Sequence, residues 1–228
     1  MYKLLSDFFN ENLSLFQIQS GIMTDVDKYD LFLQVNQLID IPFKKYIQFL
    51  NSFSEIDRSI ASADIIQFSN FQDVTVNLSK TLVLAGNSGF TFEEVGSYLL
   101  RNVESKNNKG SNTKYGENHL KAGKILGLSN NRNHKWYLTK FGYIFSELTI
   151  DQQEKMLSRL ALKTKLISSV VYDALRKDVY INDYISILSD STKVRRRSNI
   201  KKLFFLIRNN NEYSIDYIID SINGGGYI

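Results

Sequence analysis

Two stretches decide how this chain is read: KYGENHLKAGKILGL, Lys114–Leu128, and WYLTKFG, Trp136–Gly142. At about 3.6 residues per turn, a helix over Thr113–Leu126 places Tyr115, His119, Ala122 and Leu126 on one side. Lys114, Glu117, Lys121 and Lys124 fall on the other side. Gly116, Gly123 and Gly127 flank the apolar side and would admit another backbone closely. Such a helix buries one stripe and turns cations and amides outward. Asn130–Asn133 then reads as a turn, Lys135–Leu138 as a short strand, and Thr139 as the cap of a further helix. His119 and Trp136 read as core residues.

Towards the N-terminus, Thr91 followed by Glu93 and Glu94 predicts a capped helix with Val95, Leu99 and Val103 as its stripe. The polar run Lys106–Ser111 predicts a loop. Gly86-Asn87-Ser88-Gly89 predicts a break between domains. Val74, Val76 and Leu78 alternate as in a strand, followed by Leu82–Leu84. Ile60–Phe68 fits helix or strand. Leu4, Leu5, Phe8 and Phe9 predict a first helix, and Pro42 opens another carrying Phe43, Ile47 and Leu50. The first third, residues 1–85, is set apart as an acidic subdomain.

Towards the C-terminus, Met156, Leu160, Leu166 and Val170 mark helices, and Tyr180–Leu188 predicts another. A helix from Ser191 to Arg208 repeats the basic pattern. Ile200, Leu203, Phe204 and Ile207 form its buried stripe, and Arg195, Ser198, Asn199 and Lys202 point the other way. Lys193, Arg195, Arg196, Arg197, Lys201 and Lys202 crowd into ten residues, a density that repels itself without a polyanion nearby. Asn209–Asn211 ends that helix, Tyr213–Ile222 follows, and Gly224–Gly226 forms a tail. The predicted fold is mainly α with small β hairpins. Its boundaries are 1–85, 86–150 and 151–228, the last two being copies of one plan: helix, turn, basic helix, hairpin.

The chain has 228 residues, 28 Lys plus Arg against 24 Asp plus Glu, and a net charge of +4. Residues 1–80 hold six basic and ten acidic side chains, whereas residues 81–150 hold nine and five, and residues 151–228 thirteen and nine. The basic body behind an acidic front points to a polyanion as partner of residues 81–228. A hydrophobic fraction of 43% excludes a disordered chain. Absence of cysteine excludes disulfides and thiolate metal sites, and fits a cytoplasmic location. No signal peptide or membrane span is predicted, so no membrane partner is expected. No phosphate loop, zinc spacing or nucleophile elbow occurs. Glu104-Ser105-Lys106 with Asp73 upstream has the spacing of a Mg²⁺ nuclease, but in a helix-to-loop context. No catalytic residue, metal ligand or cofactor is therefore expected. Mg²⁺ enters only if the chain is a compact nuclease acting through Glu104 and Lys106.

Lys114–Leu128 with Trp136–Gly142 resembles a winged helix-turn-helix. The telling features are Ala122 before Leu126-Gly127-Leu128, and Leu138-Thr139 with Gly142 after the wing. Leu188–Ile200 is similar to a second such domain. The pairing resembles the DNA-recognition lobes of type II and type IIS restriction endonucleases, over about residues 82–210. The resemblance implies sequence-specific duplex DNA binding as a recognition lobe or specificity subunit, with cleavage supplied by a separate nuclease domain or subunit. A winged-helix transcriptional regulator is the main alternative, and a protein-interaction scaffold a further one. The expected DNA-contacting residues are Thr113, Lys114, Asn118, Lys121 and Lys124 on the first basic helix. Arg132 and Lys135 would act on the wing, and Arg195, Arg196, Asn199 and Lys202 on the second basic helix.

Overall fold

The computed structural model describes residues 1–54, 56, 59–101, 108–208 and 222–223, and the chain is mainly helical. Its contacts divide it into two units, each assembled from separated segments. The first comprises Met1–Phe9, Leu38–Ile66 and Ile150–Ile228, and the second Asn10–Gln37 and Gln67–Thr149. Residues 1–85 are thus shared between both units. The charge asymmetry along the chain is shared out with them. The second unit holds eleven basic and ten acidic side chains, and the first seventeen and fourteen. The basic character lies in local surfaces and not in a whole unit.

The first unit contains α1 (Tyr2–Phe9), α3 (Phe43–Asn51), α9 (Ile150–Lys163), α10 (Lys165–Ala174), α11 (Ile181–Tyr184) and α12 (Asp190–Arg208). The helix α2 (Asp25–Asp40) begins in the second unit, and its last turn belongs to the first. Phe8 packs edge-on to Tyr46 with ring centroids 5.5 Å apart, and Phe9 stacks on Phe49. The predicted helix over Tyr180–Leu188 is the single turn α11. The predicted second hairpin is absent among the described residues. Strand β3 (Val179–Tyr180) instead pairs in parallel with β4 (Ile222–Asn223). The segment expected as helix or strand after Ile60 is irregular, with one 3₁₀ turn at Ser62–Asp64.

The second unit is built on α4 (Phe71–Val74), α5 (Val76–Ala85), α6 (Phe92–Leu100), α7 (Lys109–Ile125), β1 (Ser129–Arg132), β2 (Lys135–Leu138) and α8 (Lys140–Glu147). Two of these correct the sequence reading. The strands expected over Asp73–Leu78 and Leu82–Leu84 are the helices α4 and α5. Val74, Leu78 and Leu82 have helical as well as alternating spacing, and the two helices bury all three. Leu78 and Leu82 join Val95, Leu120, Trp136 and Leu138 in one core cluster. A loop is expected over Lys106–Ser111, but α7 begins at Lys109, capped by the Asn108 side chain, which accepts from the Ser111 N–H.

The caps expected at Thr91 and Thr139 are present. Thr91 accepts from the Glu94 N–H while Glu94 accepts from the Thr91 N–H, and Thr139 accepts from the Gly142 N–H. Gly127 stops α7 with φ +74°. Its N–H donates to the Lys124 carbonyl and the Leu128 N–H to the Gly123 carbonyl, a Schellman ending. The hairpin turns at Asn133 and His134, both with positive φ, so Asn130–Arg132 is strand and not turn. Positive φ at both central residues matches the right-handed twist of the strands. Phe90 exchanges two backbone hydrogen bonds with Trp136 on the other edge of β2, and Ile18 bridges to Thr139 beyond it. No helix among the described residues is long and apolar enough to cross a membrane.

Candidate functional site

The exposed face of α7 and the adjoining hairpin gather most of the residues singled out from sequence. Buried positions Asn112, Gly116, His119, Leu120, Ala122 and Gly123 define the inner stripe, so the glycines lie within it and not at its margins. Lys114 and Lys121 are exposed one on each side of Glu117. Their ammonium groups stand 2.9 and 2.6 Å from its carboxylate oxygens. Those two contacts hold the Glu117 carboxyl below its usual range. Exposed pairs of this kind are worth about 0–1 kcal/mol, so either lysine can exchange Glu117 for a phosphate at little cost. Asn118 is half-buried on the same side, and Thr113 donates its hydroxyl to the Lys109 carbonyl at the flank.

Lys124 reaches the hairpin, donating to Asn131 Oδ1 over 3.2 Å. On β1 the exposed Arg132 lays its guanidinium over the Tyr137 ring, 5.2 Å from the centroid. Lys135 pairs with Glu94 at 3.4 Å. Backbone and hydroxyl donors of Thr91, more than Lys135, hold the Glu94 carboxyl low.

Beneath this face lies a polar network that sequence reading did not find. The Tyr115 hydroxyl donates to Asp73 Oδ2 (2.6 Å), and Asn77 donates to Asp73 Oδ1 (2.7 Å). Burial and the Asp73 carboxylate push the Tyr115 hydroxyl pKa up. The His119 ring stacks on Tyr115, centroids 4.0 Å apart, and its Nδ1–H donates to the Tyr115 carbonyl. Fully buried, His119 is held below its usual pKa of 6.5 by desolvation. The unfolded chain therefore takes the proton first, and the stabilisation is complete above about pH 6.5 and is lost as pH falls towards the folded-state value. The melting temperature is expected to fall between about pH 6.5 and 5, before Glu94 and Glu117 titrate. His119→Gln should remove that fall. A wild-type melting temperature constant to pH 5 would contradict it.

On α12 the structure corrects the expected outward face. Asn199 is 4% exposed and donates to the Ile66 carbonyl at 3.0 Å. Arg196 is half-buried, with Nη2 3.4 Å from Ser62 Oγ, and burial lowers its pKa. Both residues turn towards segment 60–66, so the buried side of α12 contains the expected stripe of Ile200, Leu203, Phe204 and Ile207 and extends beyond it to Asn199 and Arg196. Arg195 is exposed and bonds back to Ser191 O and Thr192 Oγ1. Lys202 is half-buried, whereas Val194, Lys201, Phe205 and Arg208 are exposed. α7 and α12 belong to different units.

Glu104 and Lys106 lie outside the described residues, as do Val103, Asn209–Asn211, most of Tyr213–Ile222 and the glycine tail. Among the described residues, no three His, Cys, Asp or Glu side chains are grouped to hold a metal ion. Comparison with protein-family models, curated proteins and solved structures finds no match to this chain.

Proposed function

We propose that the second unit is a winged helix-turn-helix and that the protein binds duplex DNA in a sequence-specific manner. The order α5, the Phe90 bridge, α6, α7, β1 and β2 supports this reading. One observation carries it: Lys114, Asn118 and Lys121 stand opposite the packed stripe of α7, and Lys124 and Arg132 stand beside them at the hairpin. A helix enters the major groove, where amides and ammonium groups read base edges. Asn118 is suited to adenine and the lysines to guanine, while Glu117 can accept from cytosine N4. Arg132 and Lys135 on the hairpin are suited to phosphates. The resemblance to restriction-enzyme recognition lobes supports a role as the specificity part of such a system, with cleavage supplied by another domain or chain. For α12, Arg195 with Lys201 and Arg208 suits phosphate contact, and the inward-turned Arg196 and Asn199 take no part in reading bases.

The test begins with duplexes selected from a random library. Log affinity should fall with log salt by about 0.9 per neutralised phosphate. Lys114→Glu with Lys121→Glu should weaken binding more than tenfold at unchanged melting temperature. Asn118→Ala should change preference at one base position by about 1–3 kcal/mol, while Lys135→Ala weakens all sequences alike. Salt-independent binding, or equal loss on every sequence for Asn118→Ala, would sink the reading.

A further inference from the structure

Of the two aromatic side chains described on α12, Phe204 is buried, whereas Phe205 leaves 61% of its surface open to solvent. Phe205 shares a stripe with Lys201 and Arg208, four residues before it and three after. Those cations stand about 6 and 4.5 Å along the helix axis on either side of the ring. Lys201, Lys202, Phe204, Phe205 and Arg208 together line an open hollow of about 290 Å³. Among the described residues no acid lines it. Three cations outweigh the half negative charge at the C-terminal end of a helix. The charges therefore select an anion, and the exposed ring selects a planar group joined to it.

A nucleotide supplies both. A pocket of about 150 Å³ holds a benzene ring, so this hollow has room for a nucleobase against Phe205. In a duplex the bases stack on one another and their faces are covered. In a single strand the faces are free to stack on an aromatic side chain while a cationic surface follows the backbone. A helix lying in a membrane surface needs a continuous apolar face. On α12 the exposed large apolar side chains are Val194 and Phe205, eleven residues apart, with Ser198 and Lys201 on the stripe between them. We propose that α12 carries a binding site for single-stranded nucleic acid. One base stacks on Phe205 within the hollow, and the flanking phosphates are held by Lys201 and Arg208. The site rests on the phosphate-contact reading of α12 and is independent of that of α7.

A labelled oligothymidylate of about fifteen nucleotides, which forms no duplex, tests the site by fluorescence anisotropy with the full chain. Binding should saturate, and log affinity should fall with log salt by about 0.7 per neutralised phosphate. Phe205→Ala should weaken it at least fivefold at unchanged melting temperature, and Phe205→Trp should not weaken it. An abasic strand of equal length and charge should bind at least fivefold more weakly and be indifferent to Phe205→Ala. Lys201→Glu with Arg208→Glu should weaken oligothymidylate more than tenfold, and serves if Phe205→Ala folds poorly. Lys114→Glu with Lys121→Glu should leave oligothymidylate binding unchanged while duplex binding falls, so this site and the α7 reading fail separately. No saturation, equal binding of the abasic strand, or undiminished binding in either α12 variant would overturn the proposal. So would binding to vesicles containing one-third phosphatidylserine that Phe205→Ala abolishes, which would make this face a membrane contact instead.

Discussion

Gly116→Ala is expected to lower the melting temperature of the second unit by more than about 10 °C, or to prevent its folding. At this point α6 and α7 touch backbone to backbone. A Cβ on Gly116 would overlap the Phe92 carbonyl oxygen and crowd the Gly96 nitrogen, and a Cβ on Gly96 would overlap the Asn112 carbonyl oxygen. Overpacking costs about 1–3 kcal/mol where side chains can yield. Here the obstacle is peptide backbone on a neighbouring helix, so the helices must separate and open the cluster around Val95 and Leu120. The control is Gly110→Ala in the first turn of α7, where an added Cβ would meet only Asn108 Oδ1, at 3.8 Å. That substitution should be neutral or stabilise by up to about 1 kcal/mol, from helix propensity. Thermal melts of the two variants decide the matter, and equal small effects would refute the backbone contact.

A loss above about 4 kcal/mol is expected for Arg159→Met in the first unit. Arg159 has no exposed surface. Its Nε donates to the Leu38 carbonyl, Nη1 to that of Lys155, and Nη2 to those of Ile39 and Ile41 at 2.6 and 3.0 Å. The guanidinium lies 5.4 Å from the centroid of the Tyr46 ring, whose hydroxyl also donates to the Leu38 carbonyl. One side chain thus satisfies the carbonyls released where α2 ends, before Pro42. Methionine fills similar volume but takes the donor from the Ile39 and Ile41 carbonyls, while Leu38 keeps the Tyr46 hydroxyl. Arg159→Lys should recover only part of the loss, because a single ammonium cannot span the fork. Urea unfolding measures both, and a cost below about 1 kcal/mol for Arg159→Met would contradict the assignment.

The legible parts of this fold are those governed by local chemistry. Thr91 and Thr139 act through their own backbone neighbours, so the caps of α6 and α8 follow from a few residues each, whereas the hairpin turns at Asn133-His134, later than the turn expected over Asn130–Asn133. α7 itself was readable because its apolar and cationic sides are both long. The illegible parts depend on partners distant in sequence. Alternation at Val74, Val76 and Leu78 does not separate strand from helix until the core against Trp136 is known. The width of the buried side of α12 is set by segment 60–66, against which Arg196 and Asn199 turn inward. Arg159 was counted among the basic residues, although Met156 and Leu160 at helical spacing flank it on a buried stripe. Of the candidate site, the outer residues of α7 were found from periodicity. The Asp73–Tyr115 bond beneath them joins residues 42 apart and left no local trace.

The slide and roll of α7 are both limited from its inner side. The Gly96–Gly116 approach limits how far the helix can slide, and the Tyr115 hydroxyl on Asp73 limits how far it can roll. Positions 114, 117, 118 and 121 contribute to neither constraint. Variation there is decoupled from folding, so a lineage carrying this scaffold can exchange one set of outer side chains for another without passing through unstable intermediates. Under the proposed DNA-binding reading, the helix is a fixed mount with replaceable lettering, and new target preferences would arise by few substitutions at those four sites.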